Sequence, residues 1–217
     1  MPIKLIIGNK AYSSWSLRPW ILMAAFHIPF EDITVPLYEG EWRKKLLKLA
    51  PSGKVPILID GDIRVWDSLA IVEYIAEAHP KKAIWPKDKA ARALARALSA
   101  EMHSGFQALR AQCPTNFRRA PARRTLIPET VADVARIEKA WTGARKNFGV
   151  GGPFLFGDFC AADAMFAPVV NRFHVYDIPV GRTARAYMKK MLDLPAYRAW
   201  IADAAKEPWR VEAYETP

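Results

Sequence analysis

Cysteine is scarce in this chain, which has only Cys113 and Cys160 among its 217 residues. Two cysteines cannot build a disulfide framework or a cysteine-rich zinc site. The four histidines are scattered along the chain without the spacing of metal ligands, so we expect no metal site. A reducing cytoplasm is the expected location of a protein with this cysteine content.

Long hydrophobic runs are also missing. No window approaches the roughly 18 uninterrupted apolar residues that a membrane helix needs, so we expect no membrane association. The first residues, Met1 to Lys4, lack the basic, apolar and small-residue regions of a signal peptide. Hydrophobic residues still make up 51% of the chain and charged residues 25%, which is the balance of a globular protein with a core.

Excess positive charge is confined to one part of the chain. Residues 1–80 carry nine Lys and Arg and nine Asp and Glu, whereas residues 81–217 carry 23 and 13, so the net charge of +10 lies in the second part. A basic half can indicate nucleic-acid binding. The densest run, residues 118–124, is short and lacks the interleaved aromatics of a single-strand binder. We therefore expect no nucleic-acid partner, and a solvated surface or a pocket for anionic ligands instead.

The first eighty residues alternate between strand-like and helix-like patterns. Ser16 and Ser68 each suit the N-cap of a helix. Gly61 lies between two apolar runs after an aspartate, which predicts a hairpin because the turn needs a positive φ. Strands are predicted over residues 3–7, 32–37, 55–59 and 63–66, and a short helix over residues 41–50. The order β-α-β-α-β-β-α predicts a mixed α/β sheet with helices packed on it, in a thioredoxin-like arrangement.

After Pro80 the pattern changes. Residues 81–89 are rich in lysine and proline and indicate a linker. Residues 90–217 show helical spacing only, with helices predicted over residues 91–109, 130–148, 160–173, 184–192 and 195–205. Cys160 and Asp163 have the spacing of a capping box, to which we assign a structural role. The predicted organisation is therefore a thioredoxin-like domain over residues 1–80, a linker over 81–89 and an all-helical domain over 90–217.

Val55-Pro56 stands at the start of the strand that opens the hairpin. A proline is permitted there because the first residue of a strand need not donate to the ladder, so an ordinary trans bond is one interpretation. In a thioredoxin-like order of elements, however, this is the position of a cis proline. We expect a cis peptide that presents the backbone of Val55 to a ligand peptide.

The turn between the first strand and the first helix reads Ser13-Ser14-Trp15-Ser16. A disulfide enzyme would carry Cys-x-x-Cys there, so thiol exchange is not available from this chain. Hydroxyls at a helix N-terminus can donate hydrogen bonds to an anion, and the helix dipole adds to that field. We assign Ser16 to capping, and Ser13 and Ser14, which precede the predicted helix, to function.

Asp67-Ser68 begins the next helix and has two interpretations of equal weight. The pair can act as a helix cap with a favourable dipole charge. It can also hold an amino-acid head group, with Ser68 and its free N–H on the carboxylate and Asp67 near the ammonium.

Together these residues resemble the cytosolic glutathione transferases over the whole chain. The matching segments are residues 13–18, 52–56 and 67–74 and the capping box near Asp163. The serine motif is most similar to that of the zeta class. Zeta proteins have a cysteine at the position of Trp15, and that cysteine is associated with maleylacetoacetate isomerisation. The resemblance implies an enzyme that conjugates the thiolate of glutathione, its co-substrate, to a small electrophile. It also implies a homodimer and an electrophile pocket between the two domains of one subunit.

Site residues follow from the same resemblance. Ser13 lies five residues before Arg18, as does the first serine of the zeta-like pattern, so Ser13 is the predicted activator of the thiol, with Ser14 in support. Tyr12 is a competing candidate, because several transferase classes use a tyrosine near this point. The residues expected to bind glutathione are Lys54, Val55, Pro56, Asp67 and Ser68. Two alternatives to conjugation stay open, a glutathione-dependent isomerase and a glutathione-binding protein without catalysis.

Overall fold

The computed structural model describes residues 2–215 and contains a four-stranded mixed sheet near the N-terminus. The strands are β1 (Ile3–Ile7), β2 (Phe30–Thr34), β3 (Ile57–Asp60) and β4 (Ile63–Trp66), in the spatial order β2-β1-β3-β4. β1 and β2 are parallel, whereas β3 is antiparallel to both of its neighbours. The predicted mixed sheet and its hairpin at Gly61, which has a φ of 56°, are confirmed.

Helices make up most of the remaining described chain. Those that accompany the sheet are α1 (Ser14–Ala25), α2 (Trp42–Leu47) and α3 (Ser68–Ala78). The helices that follow are α4 (Lys89–Ser104), α5 (Gln107–Gln112), α6 (Pro128–Phe148), α7 (Ala161–Val175), α8 (Arg182–Asp193), α9 (Pro195–Lys206) and α10 (Glu212–Glu215). This is the predicted fold class, although the exact division into domains stays a prediction. Among the described helices, none is long and apolar enough to cross a membrane.

The prediction that Ser16 caps the first helix is wrong. α1 begins at Ser14, and Ser13 is its N-cap, with its side chain accepting from the N–H of Ser16. The hydroxyl of Ser16 instead accepts a hydrogen bond from the N–H of Gly8 at the end of β1. Ser16 therefore ties the strand to the first turn of the helix, and the helix N-terminus lies three residues earlier than the pattern indicated.

The single helix predicted over residues 91–109 is divided in two. α4 ends at Ser104, where the N–H of Gly105 donates to the carbonyl of Glu101. Phe106 then takes a left-handed conformation with a φ of 62°, and α5 starts one residue later. This break redirects the chain, so that the end of α4 and the side chains of α5 both reach the neighbourhood of α1.

α7 lies at the centre of the helical part. Its residues are almost all buried, and it packs against both α1 and α4. Its predicted capping box is confirmed: the N–H of Cys160 donates to Asp163 at 2.9 Å, and the thiol of Cys160 accepts from the backbone of Asp163. Burial raises the pKa of Asp163 to about 6. The contact between α1 and α7 joins the sheet region to the helical region and places the first turn of α1 at their boundary.

Candidate active site

The N-terminus of α1 carries a cluster of serine hydroxyls. Ser13 Oγ lies 2.8 Å from Ser16 Oγ and 3.4 Å from the N–H of Ser16. Ser16 Oγ also accepts from the N–H of Gly8 at 3.1 Å. When Ser16 donates its own proton to Ser13, the hydroxyl proton of Ser13 is left free for another acceptor.

Two further donors at this turn have no partner among the described residues. They are the hydroxyl of Ser14 and the backbone N–H of Trp15. Ser13, Ser14 and Trp15 all line a cavity of about 440 Å³. The first turn of α1 therefore presents hydroxyl and amide donors to that cavity, together with the positive end of the helix dipole. Sequence patterns gave no sign of the free N–H of Trp15.

A second cavity, of about 430 Å³, adjoins the first. It is lined by all five residues that were predicted to bind glutathione, which are Lys54, Val55, Pro56, Asp67 and Ser68. The other lining residues are Trp15, Ser52 and Trp66. The Val55-Pro56 peptide is cis, as predicted. Trp15, Lys54 and Val55 line both cavities, so the predicted binding residues and the serine pair Ser13 and Ser14 surround two cavities with a shared wall.

Asp67 both caps α3 and faces the second cavity. The prediction that Ser68 caps this helix is wrong, since the N–H groups of Leu69 and Ala70 donate to Asp67 Oδ1 at 2.8 and 3.3 Å. Asp67 has a φ of 76° and a ψ of 133°, a positive-φ backbone conformation outside the left-handed helical region that residues other than glycine rarely adopt. Its second oxygen, Oδ2, lies 3.1 Å from Nε2 of His103 in α4.

The buried guanidinium of Arg18 contacts Ser68, the residue after Asp67. Arg18 is fully buried and donates from Nη1 to Ser68 Oγ at 3.3 Å. Its guanidinium stacks on the ring of Trp15 at 4.3 Å, and that of Arg110 lies 5.0 Å from the same ring. Burial is the main cause that lowers the pKa of Arg18 well below its ordinary value, and the nearby arginines lower it further. Arg18 thus links the α1 turn to the start of α3.

The first cavity has a cationic wall that sequence analysis missed. Arg110 and Arg172 line it, and both donate to backbone carbonyls: Arg110 Nε to Gly105 at 2.9 Å and Arg172 Nη1 to Cys113 at 2.6 Å. Neither side chain has a carboxylate hydrogen-bond partner among the described residues. The sequence signal for this wall is Arg172, which lies within the largely apolar α7, whereas the densest basic run of the sequence is residues 118–124.

The chain near its C-terminus covers one side of the first cavity. Val211 and Tyr214 line it, and the ring of Tyr214 lies 5.5 Å from that of Tyr12. The hydroxyl of Tyr12 donates to Glu215, and it accepts from Arg118 and, at 3.3 Å, from the N–H of Val211. Burial, followed by the bond to Glu215, raises the pKa of Tyr12 above its ordinary value. Tyr12 is thereby committed to holding the C-terminal segment, which does not favour it as the thiol activator.

Comparison with known proteins places these features in one family. Models of the N-terminal and C-terminal domains of glutathione S-transferases match residues 12–78 and 88–206. Glutathione S-transferase Z2 of Arabidopsis thaliana is 30% identical over 92% of each chain. A probable maleylacetoacetate isomerase of Caenorhabditis elegans is 42% identical, over 49% of this chain and 50% of that protein, so this match spans half of the relative.

A solved structure shows the same fold. A glutathione transferase homolog from Burkholderia gl BGR1, crystallised with bound glutathione, superposes with a TM-score of 0.72 over 95% of this chain and 100% of that one, at 23% identity. The structure is a thioredoxin-like sheet packed against a helical region, with two cavities that share Trp15 of α1. The chain belongs to the glutathione S-transferase family and is nearest to its zeta class. It is an enzyme of that family, with glutathione as its co-substrate.

Proposed function

We propose that Ser13 and Ser14 activate the thiol of glutathione at the α1 N-terminus, and that the thiolate attacks a small electrophile held in the first cavity. One observation carries this proposal. Ser13, Ser14 and Trp15 line the first cavity side by side at the start of α1, and Trp15 also lines the second cavity. A sulfur at that point would accept from several donors at once, next to the positive end of a 12-residue helix.

The energy needed for activation is small. A free thiol has a pKa of about 8.5, so only a few per cent is thiolate at neutral pH. Lowering that pKa by about two units takes about 2.7 kcal/mol. One hydrogen bond to an anion contributes on the order of 1.5–3 kcal/mol, and a helix N-terminus adds about 0.3–1 kcal/mol. The donors present are therefore sufficient without a metal-bound nucleophile.

The second cavity suits the peptide part of glutathione. Asp67 Oδ2 offers a negative charge to the γ-glutamyl ammonium, and Ser68 at the start of α3 offers a hydroxyl to its carboxylate. The backbone of Val55 is available to pair with the cysteinyl peptide unit, and Lys54 supplies an exposed cation for a carboxylate of the ligand. In this orientation the cysteinyl sulfur is directed to the serine pair.

The first cavity favours an electrophile that carries a carboxylate. Arg110 and Arg172 are held by backbone carbonyls, which leave the positive charge of each guanidinium without a bonded carboxylate. A bound anion would pair with both charges in a site from which protein already excludes much of the water. An anionic electrophile should therefore be conjugated more efficiently than its neutral ester.

Glutathione-dependent isomerisation is the second candidate function, and the same arginine wall favours it. Maleylacetoacetate carries carboxylates, and relatives named as its isomerases match this chain. Trp15 stands where the zeta pattern has cysteine, so conjugation remains the main proposal. Product analysis with maleylacetone separates the two, since an isomerase returns the trans isomer with glutathione unconsumed.

The experiment that tests conjugation measures the thiolate absorbance of bound glutathione against pH, and the turnover of an aromatic halide. We expect the pKa of bound glutathione to lie about two units below that of free glutathione. An unshifted titration with no adduct in mass spectrometry would leave only the non-catalytic binding protein.

The family resemblance also supports a homodimer in the cytoplasm, which we propose as the working state. β4 is an edge strand, and it exposes Ile63 and Trp66, which are 51% and 42% accessible. Exposed apolar residues on a sheet edge are favourable contacts for a second subunit. The cysteines are both free and buried, in keeping with a reducing compartment.

A further inference from the structure

The two oxygens of Asp67 have different partners. Oδ1 accepts the N–H groups of Leu69 and Ala70 and is occupied by the cap of α3. Oδ2 remains for a cation in the second cavity, and its one partner among the described residues is Nε2 of His103 at 3.1 Å. The direction of Oδ2 is therefore set jointly by the cap of α3, which holds Oδ1, and by a side chain from the helical region, His103.

His103 is itself held in place from several sides. It lies at the end of α4, with its side chain three-quarters buried and its ring edge-on to Trp15 at 5.2 Å. The charged groups that face it are the carboxylate of Asp67 from α3 and the guanidinium groups of Arg18 from α1 and Arg110 from α5. Arg110 also donates to the carbonyl of Gly105, which fixes the end of α4 beside the histidine.

The charge of His103 decides what it does to Asp67. Burial lowers the pKa of His103 below its ordinary value; Asp67 opposes this change, and the two arginines add to it. At neutral pH the imidazole is therefore neutral and donates from Nε2–H to Oδ2. A neutral donor orients the carboxylate while leaving its negative charge in place, so Oδ2 can still accept from an ammonium. An imidazolium would instead neutralise Asp67 and compete with that ammonium.

We propose that His103 is a positioning residue, which holds Asp67 Oδ2 in the direction required by the amino group of the γ-glutamyl end of glutathione. This inference rests on the proposed function of the second cavity. Because His103 belongs to α4 and Asp67 to α3, the contact also makes peptide binding depend on correct docking of the helical region against the sheet.

The test compares two ligands by calorimetry, glutathione and its analogue without the γ-glutamyl amino group. His103→Leu removes the donor, whereas His103→Gln keeps an N–H donor. We expect His103→Leu to weaken glutathione binding by about three- to tenfold and to leave the analogue unchanged. His103→Gln should stay within about twofold of the unaltered protein with both ligands. His174→Leu, the same change at an exposed histidine of α7, is the matched control and should alter neither affinity.

The kinetic constants and the pH dependence of glutathione affinity separate a positioning role of His103 from a purely structural one. In His103→Leu the KM for glutathione should rise while kcat at saturating glutathione stays near that of the unaltered protein. Because the pKa of His103 is lowered, its protonation occurs below about pH 6.5; the affinity of the unaltered protein for glutathione should fall as the pH is lowered beyond that point, and His103→Gln should remove most of that fall. If His103→Leu does not fold, the inference is tested by comparing the pH dependence of glutathione affinity in the unaltered protein and in His103→Gln.

Equal losses for glutathione and the analogue, or no loss for either, would overturn the inference. Failure of the proposed function looks different, because the unaltered protein would then bind glutathione no better than the analogue.

Discussion

Ser13 caps α1 through its Oγ, and it also lines the first cavity. Ser13→Ala should raise the pKa of bound glutathione by about one to two units, because a donor to the thiolate is lost. Conjugation at neutral pH should slow by about 10- to 100-fold, while glutathione affinity stays nearly intact. Thiolate absorbance of the complex, titrated against pH, measures the shift directly.

Ser14→Ala and Tyr12→Phe are the companion variants. If Ser14→Ala moves the titration and Ser13→Ala does not, the activating hydroxyl is one residue further along the helix. A shift confined to Tyr12→Phe would contradict the assignment of Tyr12 to the C-terminal segment.

Asp163 is a fully buried carboxyl whose pKa is raised to about 6, against about 3.9 in an unfolded chain. The native state therefore binds a proton more tightly than the unfolded state does. The resulting contribution to the free energy of unfolding is present below about pH 4, is lost as the pH rises to about 6, and is constant above. The contribution of Asp163 to the free energy of unfolding is larger below about pH 4 than above about pH 6 by on the order of 2–3 kcal/mol.

Asp163→Asn tests this linkage, because it removes the titrating group. The unfolding free energy of the unaltered protein minus that of Asp163→Asn, from urea titrations, should fall between about pH 4 and about pH 6.5. Asp88→Asn is the control: Asp88 is an exposed cap of α4, asparagine caps equally well, and the corresponding difference should not depend on pH. A pH-independent difference for Asp163→Asn would show that its carboxyl does not titrate in this range.

At the scale of elements, the segment after α9 braces the loop that precedes Ser13. The carboxylate of Glu207 accepts from the N–H of Lys10 at 2.6 Å and from that of Ala11 at 2.9 Å. Glu207→Ala should destabilise the protein by about 1–3 kcal/mol, because two buried amides lose an acceptor. It should also lower kcat, since the loop that positions the serine hydroxyls is loosened.

Urea unfolding and aromatic halide turnover measure the two effects of Glu207→Ala. Glu212→Ala alters an exposed glutamate of the same segment and should change neither quantity. If turnover stays unchanged in Glu207→Ala while stability falls, the brace has no role in positioning the serines.

At the scale of the whole molecule, the sheet and the helical region are joined by contacts that cross between them. Lys10, after β1, forms ion pairs at 2.8 Å with Asp32 of β2 and with Asp203 of α9. α1 packs against α3 of the sheet region and against α7 and α9 of the helical region. The first cavity is lined from both regions, and Asp67 of the second cavity contacts His103 of α4, so the site depends on the relative placement of the two regions.

The proposed dimer gives a prediction at the same scale. Sedimentation at micromolar concentration should show a mass of about twice that of the chain. Ile63→Lys on the exposed edge strand should shift the protein towards the monomer, since a desolvated lysine replaces an apolar contact. Val150→Lys, at a residue that is 90% exposed in a loop, should leave the mass unchanged. A monomer at every concentration would contradict the dimer.

Local sequence determined the elements of this protein and the residues at their ends. The β-α-β-α-β-β-α order, the hairpin at Gly61 and the cap at Cys160 followed from hydrophobic period and turn chemistry, which act over a few residues. The same short-range signals were wrong at Ser16 and Ser68, where the caps are the Ser13 hydroxyl and the Asp67 carboxylate. The hydroxyls of Ser16 and Ser68 instead accept hydrogen bonds from Gly8 at the end of β1 and from Arg18.

Only the tertiary structure decided which distant side chains share the site. Arg110 and Arg172 line the first cavity and His103 contacts Asp67, and these three residues come from three different helices. They come near the site because the chain turns between α4 and α5 at Phe106 and because α7 packs against α1. The C-terminal segment lines the first cavity through Val211 and Tyr214 for a similar reason. Periodicity indicates which face of a helix is buried, whereas the partner of that face depends on packing between elements far apart in sequence.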